Sequence, residues 1–112
     1  MVAKAPSSST LFARRMKAAR MLLGISQMEL GVRAGIDESS ASARINQYER
    51  GKHAPDFLTV CNLAKALRVP AAYFYAEDET LSEILLLYEK MKTAERKNLL
   101  GYVESLIGEN KK

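Results

Sequence analysis

Residues 24–51 read GISQMELGVRAGIDESSASARINQYERG, and the organisation of the whole chain can be worked outward from them. Ser26 with Glu29 three residues later is a capping box, in which each side chain satisfies a backbone N–H that the helix start would leave unpaired. It predicts a short helix over Gln27–Ala34, with Met28, Leu30 or Gly31, and Ala34 as inward positions. Gly35 ends it, and Ile36 is an apolar residue in the turn. Asp37 is the next N-cap, and the charge of Glu38 suits a helix N-terminus. The helix that follows runs to about Arg50 and stops at Gly51. Ala41, Ile45 and Tyr48 share one of its faces, while Ser39, Ser40, Ala43, Arg44, Asn46, Gln47 and Arg50 cover the other. Two short helices therefore meet across Gly35-Ile36-Asp37. The small residues Gly31 and Ala34 stand where closely crossing helices need them.

Upstream, residues 1–10 are small and polar and read as a flexible arm. Thr10 is a candidate N-cap for a first helix, whose apolar residues fall at Leu11, Phe12, Met16, Ala19, Leu22 and Leu23. Arg14, Arg15, Lys17 and Arg20 take the remaining arc, and Gly24 ends the helix. Downstream, Lys52-His53-Ala54-Pro55 is a loop. Asp56 caps a fourth helix carrying Leu58, Val60, Cys61, Leu63, Ala64 and Leu67. A short helical turn after Pro70 holds Tyr73 and Phe74, and Glu77-Asp78-Glu79 is an acidic linker. Thr80 starts a longer helix with Leu81, Ile84, Leu85, Leu87, Tyr88 and Met91. Thr93 caps a last one with Leu99, Leu100, Tyr102, Val103, Leu106 and Ile107. Sustained period-two alternation occurs nowhere, so the fold class is all-α. Residues 11–76 supply five helices around one core, and 77–112 form a C-terminal helical hairpin.

The chain has 112 residues, a length that buries a core without disulfides or metals. Its single cysteine, Cys61, excludes an internal disulfide and suggests a reducing, cytoplasmic setting. One cysteine and one histidine leave almost nothing for a soft-ligand metal site. No apolar stretch reaches the ~20 residues of a membrane span, and no signal-peptide core is present. Catalysis is unexpected: there is no nucleophile–base pair, no metal cluster and no phosphate-binding Gly-rich loop. No metal, cofactor or small-molecule effector is indicated. Net charge is +4, unevenly spread. Residues 1–70 hold eleven Lys/Arg against five Asp/Glu, and residues 71–112 hold six against eight. A basic first part suggests a polyanion partner.

Two short helices joined by a tight glycine-containing turn are the helix-turn-helix signature. Its second helix lies in the major groove with its outer face free for base edges. The outer face of the helix at about 38–50 is short, polar and basic, as that role requires.

At this point residues 16–74 resemble the Cro/CI-type helix-turn-helix regulators, the XRE family. The resemblance rests on Gly24-Ile25-Ser26-Gln27-Met28-Glu29-Leu30, Ala34-Gly35-Ile36, Ile45-Asn46-Gln47-Tyr48-Glu49-Arg50-Gly51-Lys52, Pro55, and Leu63-Ala64-Lys65-Ala66-Leu67-Arg68-Val69-Pro70, in that order. It implies a lambda-repressor-like five-helix DNA-binding unit over 11–76. It also implies that Gln27 sits at the DNA backbone and that Ser42, Ala43, Arg44 and Gln47 face the bases. One departure matters. Nine residues separate Gly35 from Ile45, where the family pattern has about five. The excess is about one helical turn. Either the recognition helix is lengthened at its start, adding Ser39 and Ser40 to the base-facing set, or the turn is longer.

Chemistry distributes the roles. Arg44 suits guanine and Gln47 suits adenine; serines reach bases or phosphates, and the Ala43 methyl fits a thymine methyl. Asn46, Arg50 and Lys52 sit where the helix leaves the groove and suit phosphates. Bland readings stand beside these: a solvated Arg44, and an Arg50 paired with Glu49 or Glu29. His53 reads as an exposed loop residue, and Cys61 as core rather than redox sensor. Tyr73-Phe74-Tyr75 reads as a plug rather than a stacking platform, and Glu77-Asp78-Glu79 as a solvated linker rather than a metal site. The apolar set Leu81, Ile84, Leu85, Tyr88, Leu99, Val103, Leu106 and Ile107 exceeds what a two-helix hairpin can hide. It implies a homodimer, or else a tail packed on its own domain. The expected function is a dimeric repressor reading double-stranded DNA; the alternative is an antitoxin-like module whose C-terminal helices bind a protein.

Overall fold

The computed structural model describes residues 8–110. All regular structure in them is helical: α1 (Ser8–Leu23), α2 (Gln27–Arg33), α3 (Glu38–Glu49), α4 (Phe57–Leu67), a 3₁₀ turn (Ala71–Tyr75), α5 (Glu79–Glu89) and α6 (Thr93–Asn110). α1 starts at Ser8, so Thr10 lies inside its first turn instead of capping it, and residues 8–10 of the expected arm are helical. Residues 1–7 of that arm lie outside the described residues.

The local signals act where they were read. Ser26 Oγ accepts from the Glu29 N–H at 3.0 Å. The Asp37 carboxylate accepts from the Ser39 N–H at 3.2 Å and Asp56 from Thr59 at 2.9 Å. Hydrogen bonding from the Ser39 and Thr59 side chains, and then from their N–H groups, favours the ionised form and lowers both aspartates from the ordinary value. With Asp37 capping, α3 begins at Glu38, so the four extra residues lengthen the helix and leave a tight turn.

Four helices end the same way, α1 through Ile25 N–H to Arg20 O at 3.4 Å and Gly24 N–H to Met21 O at 3.1 Å, with Gly24 at φ +76°. After α2, Ile36 N–H reaches Gly31 O at 2.9 Å and Gly35 N–H reaches Val32 O at 3.0 Å. After α3, Lys52 and Gly51 make the same pair to Gln47 and Tyr48, and after α4 Val69 and Arg68 make it to Ala64 and Lys65. This Schellman closure needs one residue in the left-handed region. Gly35 (φ +92°) and Gly51 (φ +72°) supply it without strain, but at α4 Arg68 does so at φ +62°. A side chain there costs about 1–2 kcal/mol.

The core lies between α1, α2, α3, α4 and the 3₁₀ turn, with Phe74, Met16, Leu30, Ile45, Leu63 and Val60 almost wholly enclosed. Tyr73 and Phe74 are its plug, Phe12 meeting Phe74 edge-on at 4.9 Å. Tyr75 is exposed. Cys61 is half-buried. α2 crosses α3 so closely that a Cβ on Gly31 would lie 2.7 Å from Ala41 Cβ and 3.0 Å from both Ala41 Cα and its carbonyl oxygen.

Several inward assignments are overturned. Leu22 (73% exposed), Leu58 (69%) and Met28 point outward. Leu22 is in the last turn of α1, at the edge of an open cleft, and Leu58 is in the first turn of α4. Conversely Arg15 is only 7% exposed. Its Nε and Nη2 donate to Ala76 O at 3.1 and 2.6 Å, its Nη1 reaches Glu79 Oε1 at 3.2 Å, and its guanidinium lies 5.6 Å from the Tyr73 ring centre. The acidic linker is thus partly structural. Asp78 rather than Thr80 opens α5, accepting from the Leu81 N–H at 2.9 Å.

α5 is part of the core's cover. Ser82 is buried, and Leu85 and Leu86 pack against the central cluster. α5 and α6 do not pack along each other as the expected hairpin would. α5 has spent its inner face on the core, and α6 turns away at Met91–Lys92. Thr93 is the first residue of α6; the side chain of Glu95 reaches back to the Lys92 N–H at 2.8 Å. Arg96 ties the joint, donating to Tyr88 O at 3.1 Å with its guanidinium 4.4 Å over the Tyr88 ring.

Candidate nucleic-acid interface

α3 buries Ala41, Ile45 and Tyr48, spaced by four and three residues. At 100° per residue the row directly opposite is Ser39, Ala43 and Arg50, with Gln47 about 50° to one side. Ser40 and Arg44, one turn apart, flank that row on one side; Ser42 and Asn46 flank it on the other. Ser39, Ser42, Ala43, Arg44, Gln47 and Arg50 are exposed, and Ser40 and Asn46 are half-buried. The six expected base-facing residues therefore share one solvent-facing surface of α3, with Ser42 and Arg44 towards its edges.

The side chains differ in how free they are. Ser39 Oγ donates to the Asp37 carboxylate, so this serine is held by the cap. Among the described residues Arg44, Gln47, Arg50 and Lys52 make no side-chain hydrogen bond or ion pair. The two acids considered as partners for Arg50 are taken, Glu29 by Arg33 and Glu49 by Arg20.

Beneath this surface runs a network that local pattern reading missed. Arg20 grips Glu49 with two bonds, Nε to Oε2 at 2.5 Å and Nη2 to Oε1 at 3.1 Å, and its Nη1 reaches Ile25 O at 3.0 Å. Both side chains are largely enclosed. Gln27 Nε2 donates to Glu49 Oε1 at 3.0 Å and to Asn46 Oδ1 at 3.3 Å. The Gln27 amide hydrogens are thus both engaged inside the protein, leaving only its oxygen, an acceptor, for other contacts. Gln27 itself is half-buried at the start of α2. Asn46 gives up its oxygen but keeps its NH₂ free to donate outward. A signal for the pair existed: Arg20 lies one turn past buried Met16, and Glu49 one turn past buried Ile45.

Lys52 and His53 are exposed on the loop after α3. Of the expected dimer residues, Leu81, Ile84, Val103, Leu106 and Ile107 are exposed, while Tyr88 and Leu99 are half-buried. Leu85 is different, because it packs on the chain's own core. Among the described residues no group of three or more His, Cys, Asp or Glu is placed to hold a metal. No helix there is long and apolar enough to cross a membrane.

The family model described as helix-turn-helix matches residues 16–74, just over half of the chain. Among solved structures, the crystal structure of transcriptional regulator BswR is similar, with 43% identity, a TM-score of 0.79, and coverage of 86% of this chain and 95% of that one. No curated protein matches the sequence. The match begins in the middle of α1 and ends in the aromatic plug, so it takes in the α2–turn–α3 unit, the Arg20–Glu49 brace and the helix that seals the core beneath them. On that match the chain belongs to the helix-turn-helix family, in its XRE (Cro/CI) branch.

Proposed function

We propose that this protein is a sequence-specific double-stranded-DNA-binding transcriptional regulator that acts as a dimeric repressor, each protomer reading one half-site through α3. The observation that carries this reading is the solvent face of α3. It is clear of large apolar side chains, and Arg44 and Gln47 stand unengaged beside Arg50 and Lys52. Family membership and the regulator BswR support the coarser part, a DNA-binding regulator. The dimeric and repressing parts rest on the exposed apolar residues of α5 and α6 and on the resemblance to Cro/CI-type regulators. Selection of bound sequences from random duplex DNA tests the reading. A two-fold symmetric site should emerge; an unenriched pool would refute specificity.

Binding should weaken steeply with salt. If a dimer neutralises ~6–10 phosphates, log K falls against log salt by about 0.9 per phosphate. Fluorescence anisotropy on a labelled duplex at several salt concentrations measures the slope, and a flat line would rule out a phosphate-anchored complex.

Arg44→Ala and Gln47→Ala should relax sequence preference, each removing ~1–3 kcal/mol of discrimination. Lys52→Ala should weaken all duplexes alike, because a phosphate contact carries no sequence information. Titrating each variant on the selected and a scrambled duplex separates the classes. Equal losses on both duplexes for Arg44→Ala would reassign it to the backbone.

A second reading has its own observation. α6 carries Leu100, Tyr102, Val103 and Ile107 exposed, and among the described residues no helix packs along it. A foreign protein on that surface would make the chain antitoxin-like. A stoichiometric partner in a pull-down under conditions where the protein is not self-associated would favour this reading.

A further inference from the structure

We infer that the cleft between α1, α4 and α5 binds a small amphipathic organic anion, its apolar chain among leucines and its acidic head on Arg68 and Lys90. Of four helices closed by the same motif, three place glycine at the left-handed position and α4 places arginine. Glycine would remove the strain, so nothing in the backbone asks for a side chain at this point. Arg68 does not serve the fold through its head group either: it is exposed, and among the described residues its guanidinium has no hydrogen-bond or ion-pair partner.

What that side chain does do is line a cleft of about 570 Å³. Leu22, Leu23, Leu67 and Leu86 form its apolar walls, and Lys90 lies with Arg68 among its polar lining. The volume falls within the roughly 300–1,000 Å³ of small-molecule sites, and mainly apolar walls with a few charged groups are their usual chemistry. Glu89 also lines the cleft, but it stands 4.0 Å from Arg96 on its other side. Two cations against one shared carboxylate leave the site short of negative charge. A second copy's α6, which carries Glu95 and Glu104 beside its apolar residues, is the competing occupant, which sedimentation of Arg68→Gly separates from a small anion. A carboxylate-headed chain covers leucines and cations alike, and Arg68 can meet it with two parallel N–H bonds. Leu86 also packs on the core, so an occupant would press on it and bear on how α5 is held. The inference concerns binding alone and does not depend on DNA recognition.

The test is isothermal titration of the full chain with monomeric decanoate, with decanol and with acetate. Wild type should bind decanoate once per chain, decanol more weakly and acetate not measurably. Arg68→Gly should fold with a thermal midpoint no lower than wild type, because glycine suits φ +62°. It should nevertheless lose decanoate affinity by about tenfold or more while decanol binding is unchanged. Absence of decanoate binding to wild type, or equal decanoate binding by wild type and Arg68→Gly, would overturn the proposal. So would binding only to anionic phospholipid vesicles, which would reassign the chemistry to a lipid surface. A change of sedimentation mass in Arg68→Gly without a change in decanoate affinity would show that Arg68 meets a second copy instead.

Discussion

Gly31→Ala should lower the thermal midpoint by more than about 10 °C, although the same change at an exposed helical glycine gains up to ~1 kcal/mol. The new methyl carbon would lie 2.7 Å from Ala41 Cβ and 3.0 Å from Ala41 Cα and O. Two of those three atoms are backbone of the facing helix and cannot swing aside. α2 and α3 would have to separate, at a cost near the upper end of overpacking, ~3 kcal/mol. Separation would also disturb the bonds from Gln27 to Asn46 and Glu49, so DNA binding should fall even at temperatures where the variant is folded. Thermal unfolding followed by circular dichroism checks the first effect. Adding Ala41→Gly should recover only part of the loss, since it removes one of the three close contacts. A midpoint within two degrees of wild type would mean that α2 and α3 are not apposed this tightly.

Removal of residues 93–112 should yield a folded monomer whose affinity for a two-half-site operator is ~10²–10⁴-fold lower, the factor that linking two reading units supplies. The motivation is α6, whose Leu100, Val103, Leu106 and Ile107 are exposed and, among the described residues, without a neighbouring helix. Removal of residues 80–112 should cost more. It takes away Leu85 and Leu86, which pack on the core, and Ser82, which is buried. That shorter chain should therefore also melt earlier than the 1–92 chain. Sedimentation equilibrium and thermal melts of the full chain and both truncations decide the matter. A full-length monomer at micromolar concentration would eliminate a dimerising α6. Equal melting of the two truncations would show that α5 adds nothing to the N-terminal fold.

The distinction between those two cuts could not be drawn from the amino-acid order, and the reason is physical. Signals that act within four residues were readable: Ser26 with Glu29, Asp37 with Ser39, Asp56 with Thr59, and the glycines that close α2 and α3. They placed three helices and the turn between α2 and α3, and the observed Asp37 cap settles the placement of the four additional residues. Pairings across the chain left no local trace. Arg15 reads as one more cation on a basic arc, yet its acceptors lie at Ala76 and Glu79. Glu49 reads as a neighbour for Arg50, yet it is held by Arg20 from α1. Leu22 and Leu58 fit the helical period, yet both side chains are exposed. The same division runs through the site. The exposed face of α3 follows from the spacing of Ala41, Ile45 and Tyr48, whereas the engagement of Gln27 needed three helices in view at once.

Arg15 bears on how two copies could share one piece of DNA. Because its guanidinium holds the Ala76 carbonyl and Glu79 together, the chain leaves the last turn of the core on a fixed heading rather than through a slack tether. A pair of reading heads on slack tethers would accept half-sites at many separations, since each could swivel to find its groove. Heads carried on a clamped arm behave like a caliper. They match sites that present the same face of the duplex, spaced by whole turns of about 10–10.5 base pairs, and an insertion of half a turn would put one head on the wrong side of the helix.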